Sequence, residues 1–241
     1  KKEKNNFVSF SNNIFLKDNL NLIKLNNVSF SYDKDNNNLL QNINLTIKHG
    51  SIIGLIGSSG VGKTTLINLI MGLIEPTRGN ISVNNQDINK NIEGWQNLIG
   101  YVPQNIYLND ESIRNNIAFG VNESLINNDN VEKSLEDAQL KNFVNKLKNK
   151  ILTTVGECGD QLSGGQKQRI GIARALYRKP KVLIMDESTN ALDFKTEKAI
   201  LEEVKLLRGK KTILIIGHRP SALNICDQVY ELSVEGLNIS K

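Results

Sequence analysis

Period-two alternation of apolar and polar residues opens the ordered part of the chain, in IKLNNVSFSY from Ile23 and again in NINLTIK up to Lys48. Such alternation predicts half-buried antiparallel strands. The stretch DKDNNN between them has the composition of a turn, and a small β-sheet lobe is expected. A continuous apolar run then appears, SIIGLIG, followed by GKTTLINLIMGLI, where Leu66, Leu69, Ile70 and Leu73 share one helical face. Pro76 to Gly79 ends that helix, and ISVNNQDI returns to alternation, as if rejoining the antiparallel lobe. A polar middle, roughly 106–150, carries a helical pattern at Val131, Leu135 and Ala138. Beyond it come a helix over Gly165–Leu176, a buried strand KVLIMD, a helix over Lys195–Leu207 and a buried strand TILIIG. Apolar strands alternating with amphipathic helices argue for an α/β protein whose parallel sheet is covered on both faces. No internal repeat is visible.

Composition narrows the class. The 241 residues are 39% hydrophobic and 23% charged, enough to build a sizeable core and too polar for an intrinsic membrane protein. The longest apolar runs, Ser51–Gly57, Val182–Met185 and Thr212–Gly217, are far shorter than a membrane-spanning helix. Cys158 and Cys226 lie far apart, without a CxxC neighbour or a His cluster, so reduced thiols are expected rather than a metal site or a disulfide framework. A formal charge of +5 is spread among acids and decides nothing about nucleic acid or membranes. The abundant asparagines read as composition bias. Residues 1–22 are Asn- and Lys-rich, and Lys1 opens the chain without an initiator Met; a linker from a longer protein is expected there.

The strand-to-helix junction holds the clearest chemistry. GSSGVGKT, residues 57–64, fits G-x-x-x-x-G-K-[ST] in its required setting between a buried strand and a helix. Gly57, Gly60 and Gly62 let backbone amides turn inward around phosphates, with Ser58, Ser59 and Val61 between them. The helix N-terminus faces the same anion. Lys63 brings a positive charge to the β- and γ-phosphates, Thr64 offers a hydroxyl to Mg²⁺, and Thr65 completes the turn. A nucleoside triphosphate is the expected ligand. In KVLIMDE, Asp186 stands at the carboxyl end of a buried strand, where ligands bind in open α/β sheets, as the Mg²⁺ partner. Glu187 is the candidate general base toward the attacking water. Two acids capping the next helix would be the plainer account of that pair.

QLSGGQKQRIGIARAL, residues 161–176, ahead of a strand ending in Asp-Glu, resembles the signature motif of ATP-binding cassette (ABC) proteins. Ser163 with the amides of Gly164 and Gly165, followed by Gln166, forms a second helix N-terminus able to hold an anion. The resemblance runs from about Ile23 to Glu235 and implies a P-loop NTPase of the ABC-ATPase fold: a mainly parallel core, an antiparallel β lobe and an α-helical subdomain at about 105–170, all within 23–241. It implies ATP and Mg²⁺ as ligands, and a head-to-tail homodimer in which Ser163–Gln166 of one copy close over the γ-phosphate held by the other. Tyr32 is similar to the aromatic that stacks on adenine, although a lone strand Tyr is more often a packing residue. Gln104, in GYVPQ, resembles the glutamine that senses Mg²⁺ and the attacking water. Asp193, in NALD, resembles the acid that communicates across the dimer, and His218, in IIGHR, the histidine at the γ-phosphate.

TTVGECGDQLSGGQ and IGYVPQNIYLNDESIRNNIAFG are similar to the exporter versions of these segments. Cys158 departs from them, standing where Arg is usual. The resemblance therefore implies the nucleotide-binding domain of an exporter or flippase for a lipid, lipid-linked saccharide or peptide. Its partner is then the transmembrane domain of the same transporter, with no nucleic acid involved, at the cytoplasmic face of a bacterial inner membrane. An importer ATPase differs in partner rather than chemistry. Chromosome-maintenance and ribosome-acting ABC ATPases carry long coiled coils or paired cassettes, and this chain has neither.

Overall fold

Alternation and apolar runs of this kind become, in a computed structural model that describes residues 22–32, 39–188 and 192–241, ten strands and eight α-helices among those residues. In chain order the first half holds β1 (Leu22–Phe30), β2 (Leu40–Lys48), β3 (Ile52–Ile56), α1 (Lys63–Ile70), β4 (Arg78–Val83), β5 (Gln86–Asp87), α2 (Ile92–Gln96), β6 (Ile99–Val102) and α3 (Ile113–Ile117). The second half holds α4 (Asn128–Asp137), α5 (Lys141–Val144), α6 (Gly164–Tyr177), β7 (Val182–Asp186), α7 (Phe194–Leu206), β8 (Thr212–Ile216), α8 (Pro220–Asn224), β9 (Gln228–Ser233) and β10 (Gly236–Ile239). Residues 1–21, with nearly all of the expected linker, lie outside the described residues, as do residues 33–38, where a turn is expected from the sequence.

Two compact units divide the chain. The first runs to His49 and takes in Gly57–Leu98 and Glu231–Ile239. Its sheet has the order β2-β1-β4-β5, antiparallel in each pairing. Alternation sends Ile43, Leu45 and Ile47 of β2 and Ile23 and Leu25 of β1 inward, but a register shift between Leu25 and Val28 breaks the period in β1, whose last three residues are all buried; the return of ISV to this sheet holds. Leu66, Ile67, Leu69 and Ile70 bury the inner face of α1, each contributing about 2 kcal/mol by leaving water. Trp95 of α2 is fully buried and donates its indole N–H to the Ile70 carbonyl at 2.8 Å, satisfying one of the carbonyls orphaned at the end of α1.

The second unit comprises Gly50–Ile56, Ile99–Tyr230 and the last two residues. Its strands lie in the order β9-β3-β8-β7-β6, with β3, β8, β7 and β6 parallel. All five residues of β8 and the first four of β3 and of β7 are buried, which is why these strands read as unbroken apolar runs rather than alternating ones. Leu55 and Asp186 both pair with Ile216, and Val102 pairs with Met185. The carboxyl ends of four strands are thereby level. One apolar core joins β7 and β8 to α6, α7 and the helices α3–α5, through Ile113, Val131, Leu135, Ile170 and Val204 among others. Strand β6 was not foreseen in the hydropathy pattern: four residues long, it alternates Gly100 with bulkier neighbours and gives no apolar run. No helix among the described residues is long and apolar enough to cross a membrane.

Candidate functional site

The first unit carries Tyr32 and the loop 57–65. The chain leaves β3 and turns through Gly57, Gly60 and Gly62, all at positive φ (149°, 77° and 105°). Gly57 is required twice over, because a Cβ there would sit 2.4 Å from the Leu232 carbonyl oxygen as well as demand a left-handed backbone. At Gly62 a Cβ would come within 3.0 Å of Leu40. Helix α1 then starts with Gly62 as its N-cap, with no side-chain cap and no acid in its first turn. The leading amides of such a helix point outward with partial positive charge and suit an anion. Lys63 donates through Nζ to the carbonyls of Gly57 (2.6 Å) and Ser58 (2.8 Å). Ser58, Ser59, Gly60 and Thr64 are exposed, whereas Val61 and Thr65 are buried. Tyr32 is 66% exposed, is steadied edge-on against Phe30 at 4.8 Å, and its hydroxyl lies 3.2 Å from Thr65 Oγ1.

The second unit carries the remaining candidates. Asp186 ends β7 and accepts a hydrogen bond at Oδ2 from the Tyr101 hydroxyl, 3.3 Å away on β6. Burial, reinforced by the charge of Asp186, pushes the Tyr101 phenol up to about 12, so it stays protonated and donates. Tyr101 is not among the residues expected from sequence; its signal is its place one residue before the strand end in GYV, on the strand next to the aspartate. Replacing Tyr101 by Phe removes one hydrogen bond to a charged acceptor and should cost about 1 kcal/mol, read as a lower midpoint in urea denaturation at neutral pH. An unchanged midpoint would show that the bond contributes nothing.

Glu187 has φ 44°, the left-handed region that non-glycine residues avoid and that recurs at functional sites. Its amide donates to the Ile216 carbonyl at 2.9 Å. Its carboxylate Oε2 accepts from Gln104 Nε2 at 2.9 Å. Residues 83 positions apart are thus joined as one polar pair. Neither acid caps α7; Asp193 does, accepting from the Thr196 amide at 3.0 Å. The Thr196 hydroxyl and amide hold the Asp193 carboxyl below the usual carboxylate range.

Ser163 is the exposed N-cap of α6. Its hydroxyl accepts from the Gln166 amide at 3.3 Å, and the Gln166 side chain accepts from the Ser163 amide at 2.8 Å, a reciprocal capping box. Gly164 and Gly165 form the first turn without side chains over their amides. His218 is exposed in the segment after β8. Thus Lys63 meets its loop, Tyr32 meets Thr65, and Gln104 meets Glu187, while Ser163–Gln166 and Asp193 bond within their own helices. Both cysteines are free, Cys158 exposed and Cys226 buried; burial pushes the Cys226 thiol up to about 11.

Mg²⁺ prefers hard oxygen ligands and binds through one or two carboxylates together with substrate phosphates. Within the second unit Gln104 and Asp186 offer an amide oxygen and a carboxylate of that chemistry, and within the first unit Thr64 offers a hydroxyl.

The profile of the family described as ABC transporter matches residues 40–190. An ATP-dependent lipid A-core flippase of Wigglesworthia glossinidia brevipalpis is 39% identical over 208 residues, covering 86% of this chain and 36% of that protein. The human ATP-binding cassette sub-family B member 5 is 37% identical over 212 residues, 87% of this chain and 17% of that one. Among solved structures, a bacterial Atm1-family ABC exporter with ATP bound superposes with a TM-score of 0.83 at 32% identity, over 91% of this chain and 38% of the exporter. The chain therefore spans little more than a third of the length of these relatives, or less.

Proposed function

The chain belongs to the ABC transporter family, and from that premise we propose that it is the ATP-hydrolysing domain of an exporter or flippase, working as one of two copies. ATP lies with its phosphates in the loop 57–65 and its adenine against Tyr32. Thr64, Gln104 and Asp186 would hold Mg²⁺, which would supply neutralisation of the phosphates' negative charge. Glu187 accepts a proton from a water as that water attacks the γ-phosphorus; the bond to the bridging oxygen breaks, and ADP leaves with the electron pair. His218 contacts the γ-phosphate. Ser163–Gln166 of the second copy complete the site, and Asp193 links the two copies. Residues 23–241 form this ATPase domain, with the helical portion at about 105–170, and 1–22 form a linker to a transmembrane domain of the same transporter. That assembly sits at the cytoplasmic face of a bacterial inner membrane. A lipid or lipid-linked cargo is the reading favoured by the flippase among the relatives.

The observation that carries this reading is the Gln104–Glu187 pair. A base must be aimed, and here a carboxylate on a left-handed backbone is held by an amide from the segment after a neighbouring strand. Ser163→Ala tests the two-copy site. It should leave ATP binding to the separate chain unchanged and reduce hydrolysis on the order of 100- to 1,000-fold, the scale for one lost transition-state donor. Full activity in a monomer at dilution would defeat the shared site.

A further inference from the structure

Helix α7 buries the stripe Glu197, Ile200, Leu201 and Val204, positions i, i+3, i+4 and i+7 of one face. The first of these is a carboxylate only 3% exposed, where the pattern calls for an apolar side chain. Its two oxygens are both used. Arg219 Nη1 donates to Oε2 at 2.7 Å and Ser221 Oγ donates to Oε1 at 3.0 Å. The same Arg219 nitrogen approaches the Leu192 carbonyl at 3.5 Å. Two sequence neighbours give this network its meaning. Leu192 directly precedes Asp193, the cap of α7, and Arg219 directly follows His218.

Glu197 is buried in this ion pair while the Arg219 side chain is 35% exposed; an ion pair taken out of water is weak evidence for stability, and its better-attested use is to fix one geometry. Guanidinium is suited to that use, being a planar, always charged fork. Pro220, the first residue of α8, further restricts the Arg219 backbone to an extended conformation. With Arg219 anchored at its head and limited along its main chain, His218 has little freedom in where its backbone sits.

We propose that Glu197, Arg219 and Ser221 form a positioning clamp that sets His218 for the γ-phosphate and ties its placement to the Asp193 end of α7. The clamp acts through His218, not on the nucleotide. It rests on the reading of His218 given above, and deepens it: the histidine is aimed from the helix that begins at Asp193, the acid proposed to link the two copies.

The test replaces the charged pair together, Glu197→Leu with Arg219→Met, in the 241-residue chain, so that no buried charge is left unpaired. The thermal midpoint and ADP affinity should stay close to the parent values. The turnover number for ATP should fall on the order of 10- to 100-fold, the cost of misplacing a reacting group by about an ångström. Adding His218→Ala to the pair should lower it no further than about twofold, because residues acting as one unit are not additive. Unchanged turnover at an unchanged midpoint would overturn the clamp, as would independent, multiplying losses. If His218→Ala alone leaves turnover intact, the reading of His218 falls and the clamp falls with it; a loss with His218→Ala but none with the pair condemns the clamp alone. Should the apolar pair fail to fold, Ser221→Ala carries the same test. It removes one anchor without stranding a charge, and should show a smaller loss with the same non-additivity toward His218→Ala.

Discussion

Lys63→Ala is expected to raise the dissociation constant for ATP roughly 100-fold, the equivalent of about 3 kcal/mol for charge-assisted hydrogen bonds to phosphate. An ammonium has three donors. Two of them meet the Gly57 and Ser58 carbonyls, which orients the third without holding the lysine away from a ligand. The substitution should be gentle on the fold, because alanine is the best helix former and Lys63 opens α1 at a partly exposed position. Titration with a fluorescent ATP analogue, alongside a thermal melt, separates the two effects. Unchanged affinity at an unchanged midpoint would remove the loop from the nucleotide site.

Glu187→Gln should leave ATP affinity within about twofold and reduce turnover on the order of 100- to 10,000-fold, the range for loss of a general base. The Gln side-chain oxygen can still accept from Gln104, so the pair keeps its geometry and loses only its capacity to take a proton. With hydrolysis stalled, ATP-loaded chains should accumulate as dimers, visible by light scattering. A variant that hydrolyses at the parent rate would end the assignment of the base. The left-handed backbone adds a second arm. Glu187→Gly relieves strain of order 1 kcal/mol and should yield a chain that is more stable yet equally inactive, the signature of a residue kept for chemistry against the preference of its own backbone.

Much of this was legible before any coordinates, for a physical reason. Strands buried on both faces must be continuously apolar, and β3, β7 and β8 are. A loop that wraps phosphates needs glycines at fixed spacing, and 57–64 has them. What stayed hidden depends on pairs of residues distant in sequence. Tyr101 and Asp186 meet because β6 and β7 are neighbours, and no periodicity announces a four-residue strand. Glu197 and Arg219 are 22 positions apart, and the burial of Glu197 contradicts its own hydropathy. Asp193 shows the opposite case: resemblance directs attention to the dimer, while its bond to the Thr196 amide was readable locally as a helix cap, an acid placed three residues ahead of a first-turn amide.

The capping box at Ser163 has one more implication. A hydroxyl that already receives a hydrogen from the Gln166 amide still has its own proton to give, and accepting that hydrogen makes the proton a better donor. In the proposed dimer Ser163 therefore interrogates a neighbouring molecule for a lone pair at one spot. ATP offers terminal oxygens there and ADP does not. The serine that starts a helix in its own chain would in that dimer act, for the other chain, as a detector that reports whether the third phosphate is still attached.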